Sequence, residues 1–355
     1  MICCEKCFGD IEIISVIRSL KQIGTCELCG KKNVHIYNTD INNELAEMFD
    51  DLLNIYTAKV DLPDDYPREN INLLKDELCR RWNIFCIDSD LAYRAITAIC
   101  EEKYKEHPEI FDAPVGILGL NQMDYLKEHS ILKTYEWEDF VEEIKTKNRF
   151  HTDYINKDIL IYFCNYIKKT YKAGAVFYRA RICPDEIGFP FDKMGAPPAR
   201  EATAGRANPT GISCLYLADN SETALNEIRA GVYDYVAVGE FILKNDIEIV
   251  DFTLIDQISP FWKIDYTILS VNKKNLKKIS SEIAKPLRRQ DSALDYLPTQ
   301  YISDFIKSRG FAGIEYKSTM KRGGYNLAIF NESLFECKNV DVYDIRELKY
   351  LYDPL

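Results

Sequence analysis

The spacing of apolar positions changes once along the chain, from a helical period to a period of two. In "DIEIISVIRSL", Ile13, Ile14, Ile17 and Leu20 recur at helical intervals, and Asp10 stands where an N-cap belongs. From residue 40 the helical period dominates. "NNELAEMFDDLLNIY" gathers Leu45, Met48, Phe49, Leu52, Leu53 and Tyr56 on one face. "NINLLKDELCRRW", "SDLAYRAITAICEEKY", "EWEDFVEEIKTK" and "KDILIYFCNYIKKTY" continue the pattern, separated by breakers such as "DLPDDYPREN" and "EHPEIFDAPVG". Residues 39–172 are therefore expected to form an all-α bundle whose last helix runs to Tyr171.

After Lys172-Ala173-Gly174 the period falls to two. "AVFYRARI", "SCLYLA", "YVAVGEFIL", "IEIVDFT", "AGIEYKS" and "YNLAIF" read as strands. Helices are expected between them at about 221–230 and 298–309, the first capped by Ser221. Residues 173–332 thus read as an α+β domain, and 333–355 as a C-terminal tail.

Apolar residues make up 46% of the 355, enough for a buried core in more than one domain. The net charge of −11 argues against broad nucleic-acid or membrane-surface binding. It leaves room for an anionic small ligand, which needs only local positive charge. The longest apolar run is "ILIYFC", so no transmembrane helix is expected. "MICCEKCFGD" lacks the basic and apolar regions of a signal peptide. The expected compartment is the cytoplasm, where the twelve cysteines read as thiols or metal ligands rather than disulfides.

Four of those cysteines carry a pattern. Cys4-x-x-Cys7 is followed, after eighteen residues, by Cys26-x-x-Cys29. Two such pairs complete a closed tetrahedral site, so residues 1–38 read as a zinc-ribbon-like element with structural Zn2+. Cys3 or His35 is an alternative to one of the four ligands.

The α+β half offers a restricted chemistry. His35, His107, His129 and His151 all lie before it, which excludes a Ser-His-Asp triad or a His-rich metal site there. A P-loop and a Gly-rich dinucleotide fingerprint are also missing. Arg179 in "FYRAR", Arg206 in "GRANPTG", Tyr216 in "CLYLA", Glu227 in "SETALNEIR" and Ser318 in "YKSTMKRGGYN" are the candidates. Four of them alone have an ordinary account: Arg179 as half of a surface ion pair, Tyr216 as a core residue, Glu227 as a solvated helix residue and Ser318 as a turn residue. Glu222 is a rival carboxylate, but helix-dipole stabilisation suffices to explain it.

Together these residues resemble the RES domain, a family named for an Arg, a Glu and a Ser. The matching stretches are "FYRAR", "GAPPAREATAGRANPTGISCLYLADNSETALNEIR", "PTQYISDFIKSRGFAGIEYKS" and "YNLAIF". The N-terminal half resembles the zinc-binding, HEPN-like helical region that precedes RES domains in one branch of the family. The resemblance implies a fold similar to ADP-ribosyltransferases. It also implies cleavage of the nicotinamide–ribose bond of NAD+ by phosphate or water, in a toxin or defence effector that depletes NAD. On the same ground Arg179, Glu227 and Ser318 are the catalytic positions, and Arg206, Asn208 and Tyr216 the substrate-binding ones.

The chemistry is coherent with such a site. Guanidinium groups pair with the phosphates of NAD+. A carboxylate stabilises the oxocarbenium-like ribose, and nicotinamide leaves as a neutral molecule without a general acid. Tyr216 would stack on nicotinamide or ribose, and Ser318 would bond ribose or phosphate. Expected partners are NAD+ and inorganic phosphate, with an antitoxin or inhibitor protein and a homo-oligomer left open. Two alternatives remain. One is an ADP-ribosyltransferase acting on a macromolecule, although the α+β half lacks a Glu-x-Glu or Gln-x-Glu turn. The other is a non-enzymatic nucleotide- or nucleic-acid-binding module using the basic stretch "KKNLKKISSEIAKPLRR", which reads more simply as a solvated helical face.

Overall fold

The computed structural model of the chain describes residues 1–285 and 292–348. It divides into two compact units that interleave in sequence. The first comprises Met1–Tyr135, Tyr154–Ile159 and Asp256–Asn275; the second comprises Glu136–Asp153, Leu160–Ile255 and the chain from Leu276 onward. The end of the basic stretch, from residue 286, lies outside the described residues. Among the described residues no helix is long and apolar enough to cross a membrane.

The first unit opens with a small antiparallel sheet of β1 (Ile2–Cys4), β2 (Ile23–Gly24) and β3 (Val34–Asn38), in the order β1-β3-β2. Helix α1 (Ile11–Ser19) starts where the sequence places it. Asp10 Oδ1 accepts from the N–H groups of Glu12 (2.9 Å) and Ile13 (3.2 Å). In α2 (Glu44–Leu53), Leu45, Phe49, Leu52 and Leu53 are buried as the periodicity requires.

The expected all-α bundle needs correction. Thr57–Ala58 (β4), Asn72–Leu73 (β5) and Pro114–Gly116 (β6) form a second small sheet within it. These two- and three-residue strands are too short to leave a periodic signal. The helix that includes Ile159–Tyr162 also ends early. It is α3 (Lys157–Tyr166), and Lys168–Tyr171 is a strand, β7. Its register is fixed by antiparallel pairing to a partner far along the chain, which overrides local helical preference.

The second unit is built on one eight-stranded sheet. After β7 come β8 (Val176–Cys183), β9 (Leu215–Ala218), β10 (Tyr235–Leu243), β11 (Ile247–Asp251), β12 (Gly313–Lys317), β13 (Tyr325–Ile329) and β14 (Phe335–Asp344). The last falls in the segment read from sequence as a tail. The spatial order is β14-β10-β8-β9-β13-β12-β11-β7. Only the β11–β12 pair is parallel. One face carries bulky residues including Phe177, Leu215, Leu217, Phe241, Leu327 and Ile329. The other carries small ones: Ala180 and Ala218 pack with Ala224 of helix α4 (Ser221–Glu227). Small side chains let that helix lie close on the sheet. Its N-cap is Asn220, one residue before the expected Ser221, with Asn220 Oδ1 accepting from Thr223 N–H at 2.8 Å.

Near the β7 edge the sheet buries a charged cluster. Glu315 and Asp251 are each 1% exposed. Lys169 Nζ lies 2.9 Å from Glu315 Oε1 and 3.5 Å from Asp251 Oδ2, and Tyr171 donates to Glu315 Oε2 at 2.6 Å. Burial first, then the Asp251 charge, raises the Glu315 carboxyl to about 7, outweighing Tyr171 and Lys169. The sign for stability follows. Between the ordinary glutamate value, 4.5, and about 7, the unfolded chain has released a proton that the folded chain retains. Stability contributed here is therefore present at low pH and falls as pH rises through that window. Glu315→Gln is expected to remove this component. Urea midpoints measured at pH 5 and pH 7.5 should fall less with pH in the variant than in the native protein.

Candidate active site

A cleft of about 300 Å³ opens on the small-residue face of the large sheet. It lies where the sheet is least continuous, since β8 and β9 are joined by a single pair, Tyr178 with Ala218. Arg179, Arg206, Tyr216 and Glu227, four of the residues singled out from sequence, line it together with Tyr296, Tyr316 and Asn326. No histidine is among the lining residues.

Glu227 closes helix α4 and is held by two donors. Ser318 Oγ donates to its Oε1 at 2.6 Å, and Asn326 Nδ2 donates to the same oxygen at 2.7 Å. Ser318 stands one residue beyond β12. Its hydroxyl also accepts from Met320 N–H (3.2 Å) and Lys321 N–H (3.1 Å), which fixes the turn toward β13. Ser318 thus touches the carboxylate while lying outside the cleft wall. Glu222, the rival carboxylate, is exposed, pairs with Lys321 and does not line the cleft.

Arg179 sits in β8 opposite Gly239 of β10. Its Nε and Nη1 are buried without a hydrogen-bond partner among the described residues. Burial, then the neighbouring Arg181, lowers its pKa to about 10, so it remains a cation at neutral pH. A buried charge with unused donors is costly unless something pairs with it.

Arg206 is anchored differently. Its Nη1 donates to the carbonyls of Ile283 (3.1 Å) and Ala284 (2.9 Å), in the last turn of helix α5 (Tyr266–Ala284). Its guanidinium carbon lies 4.8 Å from the centre of the Tyr316 ring. A cation at a helix C-terminus also meets the negative end of the dipole.

The loop before β9 is a hydrogen-bonded frame for Arg206. Tyr216 Oη donates to Asn208 Oδ1 at 2.7 Å and accepts from Ala207 N–H at 3.1 Å. Burial pushes the Tyr216 hydroxyl well above the usual tyrosine range, so it keeps its proton and continues to donate. Asn208 is buried, and its Nδ2 donates within the loop to the carbonyls of Thr203 and Ile212 (3.0 and 2.9 Å). Asn208 is not among the cleft-lining residues; its amide is committed to the loop. Gln300, from helix α6 (Leu297–Ser308), clamps the turn by donating to the carbonyls of Gly205 (2.8 Å) and Asn208 (2.9 Å). Sequence reasoning missed Gln300, Tyr316 and Asn326. The available signal was a polar or hydroxyl-bearing side chain inside otherwise apolar runs, as in "YNLAIF".

The four cysteine sulfurs of the first unit also converge. Those of Cys4, Cys7, Cys26 and Cys29 lie within 4.8 Å of one another, placed to hold a metal ion. The sulfur separations are 3.8 Å (Cys4–Cys7), 3.6 Å (Cys4–Cys29) and 3.6 Å (Cys7–Cys26). Gly30, at φ +70°, turns the chain directly behind Cys29. Cys3 and His35, the alternative ligands, are not members of this group.

A sequence model described as the RES domain matches residues 176–353, half of the chain. The chain belongs to the RES domain family. No curated protein matches it. Among solved structures it is similar to a chain in the crystal structure of the M. tuberculosis MbcT–MbcA toxin–antitoxin complex. The identity is 11%, the match covers 52% of this chain and 91% of that chain, and the TM-score is 0.32. The RES match begins at the first residue of β8 and so spans the whole cleft.

The frame around Arg206 leaves no room for a side chain at residue 205. A Cβ on Gly205 would lie 2.5 Å from Tyr216 Oη and 2.8 Å from Asn208 Oδ1. Gly205→Ala is expected to destabilise the protein by about 1–3 kcal/mol through overpacking, read from the shift in denaturant midpoint.

Proposed function

We propose that this RES domain binds NAD+ in the cleft and cleaves the nicotinamide–ribose bond, with phosphate or water as acceptor. The observation that carries the reading is the pairing of Arg179 with Glu227 in one cleft. Arg179 is a buried cation with unused donors, and Glu227 is a carboxylate fixed by two hydrogen bonds.

In this reading Arg179 satisfies its free Nε and Nη1 on a phosphate of the substrate. Arg206 keeps Nη1 on the end of α5 and offers its remaining N–H groups to the same phosphates. Glu227 stabilises the positive charge that builds on the ribose as the glycosidic bond lengthens. Nicotinamide departs neutral, so the absence of histidine from the cleft wall costs the reaction nothing. Tyr216 and Tyr316 supply aromatic walls, and Ser318 acts on the reaction through Glu227. An enzyme that consumes NAD+ in its own cell needs restraint, so an inhibitor protein is the partner class this reading implies.

We further propose that the cysteine cluster holds zinc in a structural role. Zn–S bonds of about 2.3 Å in a tetrahedron give sulfur separations of about 3.8 Å, close to those observed. Four protein thiolates leave no coordination position for a substrate.

Purified protein is expected to release nicotinamide from NAD+. Product mass measured with and without phosphate separates phosphorolysis from hydrolysis. Glu227→Ala and Arg179→Ala should each lower kcat/KM by about a hundredfold or more, while Glu222→Gln should match the native enzyme. Intact NAD+ after incubation with phosphate would sink the reading. For the metal, elemental analysis should find one zinc per chain, and Cys26→Ala should lower Tm by several degrees. A metal-free native protein would remove the zinc assignment.

A further inference from the structure

We propose that Asn326 is the positioning residue that sets the direction of Glu227. This rests on the reading of Glu227 as the carboxylate that faces the reacting ribose. Asn326 belongs to the interior of β13, with Ala218 of β9 on one side and Tyr316 of β12 on the other. It is 5% exposed, in a run whose next three residues, Leu327, Ala328 and Ile329, are completely buried. An amide in such a place is costly unless its hydrogen bonds are used. Among the described residues, its Nδ2 donates to Glu227 Oε1 at 2.7 Å.

Ser318 donates to the same oxygen from a different element. The two donors therefore approach Glu227 from the sheet and from the β12–β13 turn, and both spend themselves on Oε1. That leaves Oε2 as the carboxylate oxygen available to the cleft. Two contacts on one oxygen, one from a strand and one from a turn, anchor that oxygen and restrict the rotation of the carboxylate. A fixed anion is worth more to a developing positive charge than one that must reorient. The same bond settles the amide of Asn326: its nitrogen faces Glu227, and its Oδ1 is the free end, on a residue that lines the cleft.

The hydroxyl of Ser318 has a second duty in the turn, so its loss mixes two effects. Asn326 permits a cleaner test. Asn326→Ala removes the donor. Asn326→Asp keeps the shape and places a second carboxyl against Glu227. The other titratable groups lining this cleft are Tyr178, Arg179, Arg206, Tyr216, Tyr296 and Tyr316. When the new carboxyl is protonated it can donate to Oε1 as the amide did; when ionised it repels Glu227.

Steady-state NAD+ cleavage by the native protein and both variants is compared from pH 5 to pH 8. Asn326→Ala is expected to lower kcat about tenfold or more with KM within about threefold. Asn326→Asp is expected to be poor at pH 8 and to recover relative to the native enzyme as pH falls. A merely structural role would lower the active fraction without this pH-dependent recovery. In parallel, Tm is measured for Glu227→Ala, Asn326→Ala and the double variant. If the two residues engage each other, the losses do not add. Native kcat in Asn326→Ala, or additive Tm losses, would overturn the proposal. A native protein inert toward NAD+ with non-additive Tm losses would refute the reading of the reaction while leaving the clamp on Glu227 in place. Inertness with additive losses would refute both.

Discussion

A single residue pair, Tyr178 with Ala218, joins β8 to β9, and the cleft depends on the ladder going no further. Elsewhere in the sheet the ladders are longer, as between β8 and β10, where eight pairs form. Where the ladder stops, backbone groups and side chains that a continuous sheet would cover face an opening. Arg179 then lines the cavity although the pleat sets it on the same face as Phe177, two residues before it in the strand. The alanines at 180, 218 and 224 complete the arrangement by letting α4 lie low, so that Glu227 at its end reaches the rim.

The cleft differs from a generic polar pocket in how its charges are supported. Glu227 is held by side chains from two elements, Arg206 by helix carbonyls and an aromatic face, and Arg179 by neither. Unequal support separates groups already satisfied within the protein from the one that is not. The buried cluster of Lys169, Glu315, Asp251 and Tyr171 shows the opposite condition: its charges meet one another. That cluster ties β7 to the sheet and reads as structural.

Much of this organisation was legible before any coordinates. The two Cys-x-x-Cys pairs marked the sulfur cluster because ligand spacing is a local property. Strands β8, β10 and β13 announced themselves by β-rich runs between turn residues, and Glu227, Arg179 and Arg206 by motif. What stayed hidden was set by distant partners. Lys168–Tyr171 follows a helix without a break in sequence and becomes a strand only because β11 lies beside it. Asn326, Tyr316 and Gln300 look like strand or helix filler until the residues they touch are brought near. Asn208 and Ser318 were singled out by motif, and their hydrogen bonds serve the loop and the carboxylate.

The hold of Arg206 on α5 has a thermodynamic consequence. One nitrogen serves the carbonyls of Ile283 and Ala284 while the rest of the guanidinium borders the cleft. An anion that draws the side chain inward competes with those carbonyls for the same donor. An agent that captures or frays the end of α5 returns the donor to the cleft. Because such coupling is reciprocal, the last turn of α5 and the occupancy of the cleft are linked variables: the free energy by which an anion in the cleft loosens that turn equals the free energy by which loosening the turn favours the anion.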